Sequence, residues 1–425
     1  MNTASPPPAP RAPLKPLDEA QSELLAFAAP LARVETVSTF DADGRVLAQE
    51  VVSALQVPPQ DNSSMDGYAL RCADVAAATD GGLVVSQRIP AGSHGSPLQP
   101  GTAARIFTGA PVPEGADAIV MQEDCETLEP AADGRARIRV RQLPEPGQWI
   151  RRAGEDVTRG AVVLAQGLRL GPAALGLAAS IGLPALQVVG RPRVALFSTG
   201  DELVMPGDVP PEAMPPGAIY NSNRFFLRAL LLRMGCDVTD LGIVPDRLDA
   251  TVAALRSASE HHDLILTSGG VSVGEEDHIK PAVQSLGQLN LWQIAMKPGK
   301  PFAYGRIGEG SGASHFIGLP GNPVSSFVTF LLLVRPFLLK LQGVAALAPT
   351  ARALPAHFSW ARPDKRREFL RVRRNAEGGV ELFPNQSSGV LTSAVWGDGV
   401  VDNPPGRAIA PGDVVQFFSF AELLS

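Results

Sequence analysis

A glycine turn followed by clustered carboxylates lies within residues 263–280, which read DLILTSGGVSVGEEDHIK. The apolar run at 264–266 has the length of a buried strand, and the chain turns sharply at Gly269 and Gly270. Two glycines let successive backbone N–H groups face one anion, with phosphate as the expected ligand. The acidic residues at 275–277 repel phosphate unless a hard cation such as Mg²⁺ lies between them. The pattern predicts a metal-bridged phosphate site, and a plain strand, turn and solvated acidic helix start is the alternative.

Acidic residues also follow two other predicted strands. Glu202 lies in STGDEL after one strand, and Asp246 follows a second strand that ends near Val244. Because the carboxyl ends of parallel strands meet at one edge of a sheet, we expect these carboxylates near the glycine turn. Several converging acids need a cation, and Mg²⁺ bound to substrate phosphates is the common solution. Taken singly, Asp246 is equally compatible with an ordinary turn.

Positive charge comes from a stiff segment that reads AMKPGKPFAYG. Lys297 and Lys300 stand on either side of a Pro-Gly pair, which prevents a helix and preorganises the two ammonium groups for an oxyanion. Their spacing is not that of a phosphate-binding P-loop. A second anion site is predicted where GLPGNPVSS leads from a glycine turn into a helix, with Asn322 at its N-cap and Pro323 in its first turn.

The elements that position these loops alternate between strand and helix from Arg193 onward, which is typical of an α/β sheet with crossover helices. Shorter strands separated by glycine and proline dominate on both sides of this region. The sequence therefore predicts a multidomain α/β and β protein. Its predicted parts are a mobile proline-rich arm (1–16), an N-terminal helical and linking region (17–49 and 148–187), a β-rich inserted domain (50–147), a central α/β domain (188–345) and a C-terminal β domain (346–425).

Composition narrows the functional class. The chain has 425 residues, a length that predicts several domains, and a net charge of -6, which argues against a nucleic-acid-binding protein. Its three cysteines show no metal-ligand or redox spacing. The N-terminal sequence lacks the apolar core of a signal peptide, and the longest apolar stretch, at 327–334, is too short to cross a bilayer. We therefore expect a cytoplasmic protein with no membrane partner.

Eight motifs in one order resemble the bacterial MoeA family of molybdopterin molybdenumtransferases, which is shared with the E domain of gephyrin. The resemblance covers about residues 17–345. It implies an elongated homodimer of four-domain subunits, in which the central α/β domain binds adenylylated molybdopterin. It also implies Mg²⁺-dependent insertion of the substrate molybdate with release of AMP, giving molybdenum cofactor. The motifs are DNSSMDGYAL, RIFTGAPVPEGADAIVMQED, IRRAGEDV, VALFSTGDEL, IYNSNR, TSGGVSVGEEDH, AMKPGKPFAYG and GLPGNPVSS.

The resemblance also implies a role for individual residues. The metal would be held by Glu202, Asp246 and Asp277, and Lys297 and Lys300 would attract molybdate and the pterin phosphate. Asp66, Thr108 and Asp156 match family positions that would complete the cleft from the partner subunit. Nucleotide, phosphate and pterin would be bound by Thr199, Gly200, Ser268, Gly269, Gly270, Ser272, Gly321, Asn322, Pro323, Arg367, Arg371 and Ser388. For the arginines, a solvated strand face is the alternative.

Two other functions share parts of this pattern. A molybdopterin adenylyltransferase uses the same strand-turn-helix motifs, but the inserted and C-terminal domains disfavour it. A gephyrin-like binding scaffold is disfavoured because the sequence shows no fused adenylyltransferase domain or long linker and its acidic site residues are intact. The resemblance further implies contact with the adenylyltransferase that supplies the pterin and with proteins that accept the cofactor. Molybdate and tungstate have nearly equal size and charge, so residue types leave the choice between them open.

Overall fold

The structure is a computed structural model that describes residues 13–78, 82–270 and 278–424. Helices are concentrated in the central part of the chain. The helices are α1 (Leu17–Phe27), α2 (Cys72–Ala77), α3 (Pro172–Ser180), α4 (Ser222–Arg233), α5 (Leu248–Ser259), α6 (Ile279–Leu286), α7 (Pro323–Thr329), α8 (Arg335–Leu341), α9 (Thr392–Trp396) and α10 (Phe420–Leu423). A π-helical turn at Phe330–Val334 joins α7 to α8, and 3₁₀ turns lie at Thr39–Asp41, Gln122–Asp124, Pro211–Ala213 and Gly310–Gly312.

Strands occur along the whole described chain. In chain order they are β1 (Val34–Ser38), β2 (Val51–Val52), β3 (Asn62–Ser63), β4 (Gly67–Leu70), β5 (Leu83–Ile89), β6 (Thr102–Ile106), β7 (Ala118–Met121), β8 (Cys125–Leu128), β9 (Arg137–Val140), β10 (Ile150–Arg151), β11 (Val162–Leu164), β12 (Ala185–Val189), β13 (Arg193–Thr199), β14 (Leu203–Val204), β15 (Ile219–Tyr220), β16 (Asp237–Val244), β17 (Leu264–Ser268), β18 (Gly287–Gln293), β19 (Met296–Lys297), β20 (Pro301–Ile307), β21 (Ser314–Leu319), β22 (Arg352–Pro355), β23 (Arg367–Arg374), β24 (Val380–Leu382), β25 (Gly399–Asn403) and β26 (Val414–Ser419).

The central sheet has the strand order β16-β13-β17-β21-β20-β18. The first four strands are parallel, as the alternation of strands and helices predicts, whereas β20 and β18 run antiparallel to their neighbours. The reversal follows from the short connection between β20 and β21, since a parallel crossover needs a dozen or more residues. The carboxyl ends of β13, β17 and β21 therefore meet at one edge.

Helices cover both faces of this sheet. Val194 and Leu196 of β13 pack into a core shared with α1, α4, α7 and α8, and Ala195 and Phe197 pack into a second core with α5 and α6. All four residues are fully buried. Burial on both faces explains why β13 reads as a continuous apolar run rather than as an alternating one.

The β-rich part of the chain before residue 150 forms its own six-stranded sheet, in the order β7-β4-β6-β5-β9-β8. Short two-stranded pairs link it to the rest of the chain: β3 with β10, β2 with β11, and β1 with β12. At the C-terminal end, β22 to β26 form a further sheet that the central region joins through β19, which pairs with β23. The multidomain α/β and β fold predicted from the sequence is confirmed.

The predicted arm at 1–16 falls mostly outside the described residues. At Lys15, however, the chain is already paired, since its N–H donates to the carbonyl of Gln293 at 2.8 Å and its carbonyl accepts from Ala295 at 2.7 Å. Its ammonium group also pairs with Glu23. The ordered pairing with the central region thus begins within the predicted arm.

The helical run Pro323–Leu341 has 19 residues and is long and apolar enough to cross a membrane. The apolar stretch considered in the sequence, 327–334, is only part of this run. Inside the protein 89% of its most apolar window is buried, against α1 and α4 among others. We interpret it as a core helix, and its apolar composition follows from contacts on all sides.

Candidate active site

A cavity of about 650 Å³ opens at the edge of the central sheet where β13, β17 and β21 end. A smaller recess of about 240 Å³ adjoins it and shares the loops that follow these strands. Together they bring ten of the predicted site residues into one place. These are Thr199, Gly200, Glu202, Asp246, Ser268, Gly269, Gly270, Gly321, Asn322 and Pro323.

The glycine turn after β17 has the backbone that the sequence predicts. Gly269 and Gly270 have φ angles of +96° and +64°, in the left-handed region that favours glycine. A Cβ at Gly270 would also lie 2.6 Å from a side-chain carbon of Ile279, and one at Gly269 would lie 3.0 Å from the carbonyl oxygen of Thr199. Both glycines are therefore required by conformation and by space, and the turn closes tightly over the end of β13.

Two asparagines at the start of α4 support the cavity. Asn223 donates from its amide nitrogen to the Ser268 hydroxyl and to the Gly321 carbonyl, each at 2.7 Å. Asn221 caps the helix by accepting from the N–H of Arg224 at 3.3 Å. The amide nitrogen of Asn221 is buried without a hydrogen-bond partner, an arrangement that costs free energy unless a water or ligand supplies an acceptor. Both side chains line the cavity.

The carboxylates of Glu202 and Asp246 lie on the same recess. Gly200 has a φ of +142°, and a Cβ there would lie 2.5 Å and 2.8 Å from the two oxygens of Glu202, so glycine makes room for this carboxylate. An oxygen-rich pair of carboxylates fits Mg²⁺, which binds through one or two carboxylates and keeps waters and substrate phosphates as its other ligands.

The acidic loop that follows the glycine turn lies outside the described residues. The third predicted metal ligand, Asp277, lies outside the described residues, as do Ser272 and the adjacent pair Glu275 and Glu276. Within the described chain no three His, Cys, Asp or Glu side chains come close enough to hold a metal by themselves. Of the three predicted metal ligands, Glu202 and Asp246 are thus the two that the described residues include, and both line this recess.

Lys297 faces the C-terminal domain. Its ammonium group lies 3.3 Å from a carboxylate oxygen of Glu368 and 3.6 Å from one of Asp364. Hydrogen bonds from Arg366, with Lys297 as a further positive neighbour, hold the pKa of Asp364 well below its usual range. Lys300 lies one residue before Pro301, which lines the cavity, but is not itself among the lining residues. Attraction of an oxyanion by the two lysines stays a prediction.

A loop of the C-terminal domain reaches the cavity. The carbonyl of Ser388 accepts the N–H of Val324 at 2.9 Å, at the first turn of α7, and Gly389 lines the cavity wall. Asn322 occupies the N-cap position of that helix, as predicted, but its side chain makes no capping hydrogen bond. The partner for this helix N–H is thus a carbonyl that comes from a different domain.

Arg371 holds this loop in place. Its guanidinium donates to the carbonyls of Phe369 and Ser387 and to the Ser393 hydroxyl at 3.0–3.3 Å. The side chain is 1% exposed, and burial lowers the pKa of the guanidinium to about 10. The solvated strand face considered as an alternative is therefore wrong for Arg371. Arg367 is paired with Asp402 and Asp18.

The three residues predicted to complete the partner's cleft, Asp66, Thr108 and Asp156, do not line this cavity. One Asp66 oxygen accepts from both the N–H and the hydroxyl of Thr108, each at 2.8 Å, and these bonds lower the pKa of Asp66. Asp156 lines a separate cavity of about 380 Å³ together with Glu155 and Arg151. Within one subunit, Asp66 and Thr108 thus form a bonded pair, and Asp156 faces a second opening.

Several cavity residues were not singled out from the sequence. Tyr220, Asn223, Ser325 and Gly389 all line the cavity. The motif IYNSNR contains the first two, and a strand followed by an asparagine-capped helix was the available signal. Gly389 had no local signal, because its position depends on how the C-terminal domain packs.

The fold and the cavity define a multidomain α/β protein with an oxygen-lined ligand site at the carboxyl ends of parallel strands. Residues 15–182 match the MoeA N-terminal region, 195–340 a probable molybdopterin-binding domain and 353–420 the MoeA C-terminal region. The chain therefore belongs to the MoeA family.

Individual relatives agree with this assignment. A molybdopterin molybdenumtransferase of Haemophilus influenzae is 43% identical over 81% of this chain and 80% of its own length. Molybdopterin molybdenumtransferase 2 of Mycobacterium tuberculosis is 38% identical over 87% of this chain and 90% of its own. The crystal structure of the molybdopterin biosynthesis moeA protein of Pyrococcus horikoshii superposes with a TM-score of 0.81 at 26% identity, covering 96% of this chain and all of that one.

Proposed function

We propose that the protein is a molybdopterin molybdenumtransferase of molybdenum cofactor biosynthesis. In the proposed reaction, molybdate is inserted into the dithiolene of adenylylated molybdopterin while the phosphoanhydride is hydrolysed and AMP is released. The observation that carries the proposal is the cavity at the ends of β13, β17 and β21, where a glycine turn and two carboxylates meet in a chain of this family.

The proposed binding mode follows from the lining groups. In the proposed mode the backbone N–H groups of Gly270, Gly321 and Asn322 bind phosphate oxygens, since those of Gly269 and Val324 already donate to backbone carbonyls. The buried amide of Asn221 offers one further donor once a ligand is present. The protein then acts mainly by holding the reacting groups of the substrate in a fixed geometry, which lowers the entropic part of the reaction barrier.

Magnesium is part of the proposal. Glu202 and Asp246 would hold Mg²⁺, together with Asp277 from the acidic loop outside the described residues. When bound, the ion neutralises phosphate charge and stabilises the departing AMP. The chain's own contribution is to place two carboxylates beside the phosphate-binding turns. Without the cation these carboxylates would repel the substrate phosphates.

A homodimer with shared active sites is also proposed, in the cytoplasm and supplied by a molybdopterin adenylyltransferase. Asp66, Thr108 and Asp156 do not line the main cavity of their own subunit. In a homodimer these three residues would line the partner's cavity and lie close to the reacting groups there. Proteins that accept the finished cofactor are further proposed partners.

The test is reconstitution of a cofactor-free molybdoenzyme. Purified protein is incubated with adenylylated molybdopterin and Mg²⁺, with molybdate, tungstate or neither added, and the mixture then activates the acceptor enzyme. Activation that requires both the protein and molybdate is expected. Equal activation without the protein at the same micromolar molybdate would contradict the proposed function, and activity with tungstate alone would reassign the substrate.

A further inference from the structure

Asn223 ties together two loops that surround the cavity. It lies in the first turn of α4, and its amide nitrogen reaches the side chain of Ser268 at the end of β17 and the carbonyl of Gly321 after β21. The two strands are neighbours in the sheet, with Ser268 paired to Leu319. A single side chain from a third element therefore bridges the loops that follow two adjacent parallel strands.

Both hydrogens of the amide are used in this bridge. Each donor-acceptor distance is 2.7 Å, and the Asn223 side chain is about nine-tenths buried, with a residue exposure of 9%. The Asn223 nitrogen has no further hydrogen to donate to a ligand. Its contribution to binding must therefore pass through the groups it holds.

The groups it holds, the Ser268 hydroxyl and the Gly321 carbonyl, belong to the two turns proposed to bind phosphate. Ser268 leads directly into the turn at Gly269, whose N–H continues the ladder to the Leu319 carbonyl at 3.0 Å. Gly321 lies two residues before the start of α7, and a Cβ at Gly321 would lie 3.9 Å from the Cα of Gly269. The two proposed phosphate-binding turns thus lie side by side, and the hydrogen bonds of Asn223 connect them.

We propose that Asn223 is a positioning residue that fixes the distance between the turn at Gly269 and the turn at Gly321, and so the spacing of the N–H groups that bind the substrate's phosphates. This inference rests on the proposed function. Asn223→Asp keeps the size of the side chain but replaces the donor with an acceptor that repels the Gly321 carbonyl. Asn223→Ala removes the bridge without adding charge.

The experiment measures AMP binding in the presence of Mg²⁺ by calorimetry, alongside the thermal midpoint of each variant. Loss of two buried hydrogen bonds is expected to weaken AMP binding about tenfold or more in both Asn223 variants. Asn290→Asp is the matched control, because Asn290 is exposed on the edge strand β18 of the same domain. The control should bind AMP as the wild-type protein does.

A double-variant cycle separates positioning from general destabilisation. If Asn223 acts through the Ser268 hydroxyl, the double variant Asn223→Ala/Ser268→Ala should lose less AMP binding free energy than the two single variants lose together. If the wild-type protein transfers molybdenum and the Asn223 variants bind AMP as tightly as it does, the positioning role is overturned and the proposed function stands. Wild-type protein that neither binds AMP nor transfers molybdenum would overturn the proposed function, and this inference with it.

Discussion

The Glu202 carboxylate lies against the backbone of Gly200 at the edge of the recess. It folds back beside Gly200, where any other residue would place a Cβ 2.5 Å from one of its oxygens. A side chain at this position would displace the carboxylate from the recess that it shares with Asp246, and the φ of +142° at Gly200 also favours glycine. The position of Glu202 is thus determined by its own loop rather than by a distant part of the fold.

Glu202→Gln is expected to lower molybdenum transfer about 100-fold, because a neutral amide gives up much of the charge that would hold the metal. Raising the Mg²⁺ concentration should restore part of the lost rate. The matched control is Glu212→Gln, which changes an exposed residue of the same domain. Activity of the Glu202 variant equal to that of the control would remove this carboxylate from the metal site.

Sequence reasoning succeeds for residues whose function is tied to a local pattern. The turn at Gly269 and Gly270 follows a buried strand, and the structure gives both residues positive φ angles. Asn223 was missed because its partners are 45 and 98 residues away, and no local spacing records such a contact. Lys297 likewise pairs with Glu368, 71 residues further along the chain.

The conformation of the loop that follows β24 is held by the buried guanidinium of Arg371. Arg371 donates to the carbonyls of Phe369 and Ser387, and Gln386 bonds the backbone of Arg371 in return. The loop then supplies the Ser388 carbonyl to the first turn of α7. The C-terminal domain therefore contributes one wall of the cavity through Arg371.

Arg371→Lys is expected to lower the free energy of unfolding by about 2 kcal/mol, because one ammonium group cannot satisfy all three acceptors. The KM for adenylylated molybdopterin should rise as the loop loosens. Chemical denaturation and steady-state kinetics measure the two effects. Arg374→Lys, on the exposed end of the same strand, is the control, and a KM that rises no more than in this control would contradict the account.

Strands β20 and β21 carry a buried hydrogen bond that makes stability depend on pH. The Tyr304 hydroxyl lies 2.9 Å from Nδ1 of His315. Burial, and secondly the positive charge of Arg306, lower the pKa of His315 to about 4. The unfolded chain takes up a proton near pH 6.5, whereas the folded chain resists it, so stability is lost as pH falls from about 6.5 to 4.

The expected loss for the wild-type protein is about 3 kcal/mol across that interval, from the size of the shift. His315→Asn keeps a polar partner for Tyr304 but does not titrate, so its free energy of unfolding should change less over the same range. Urea denaturation at pH 7.0, 5.5 and 4.5 compares the two proteins. Parallel pH dependence in both would contradict burial of a neutral His315.

The described chain has separate sheets and hydrophobic cores, and the sequence predicts this division into an α/β region and β regions. Alternating strands and helices identified the central α/β region, and short strands with glycine and proline turns identified the flanking β regions. The reversal of β20, which runs antiparallel to both β18 and β21, was not predicted, because a short connection fixes strand direction only once pairing is known. How Gly389 comes to line the cavity depends on domain packing, which local sequence does not encode.

Sharing of active sites between subunits can be tested by mixing inactive variants. Asp66→Asn alters the inserted domain and Glu202→Gln alters the α/β domain, and each homodimer should be nearly inactive. Random re-association yields mixed dimers with one intact site each, so activity should recover to about a quarter of the wild-type value. A mixture as inactive as its components, or a monomeric mass by light scattering, would contradict a shared site.

The most direct measurement of the central claim is AMP release followed together with molybdenum bound to the pterin, in one reaction with Mg²⁺ and adenylylated molybdopterin. We predict that both appear in equal amounts when molybdate is present and that neither appears when it is omitted. Binding of adenylylated molybdopterin without cleavage to AMP under any of these conditions would contradict transfer at this cavity. The protein would then have a binding function only.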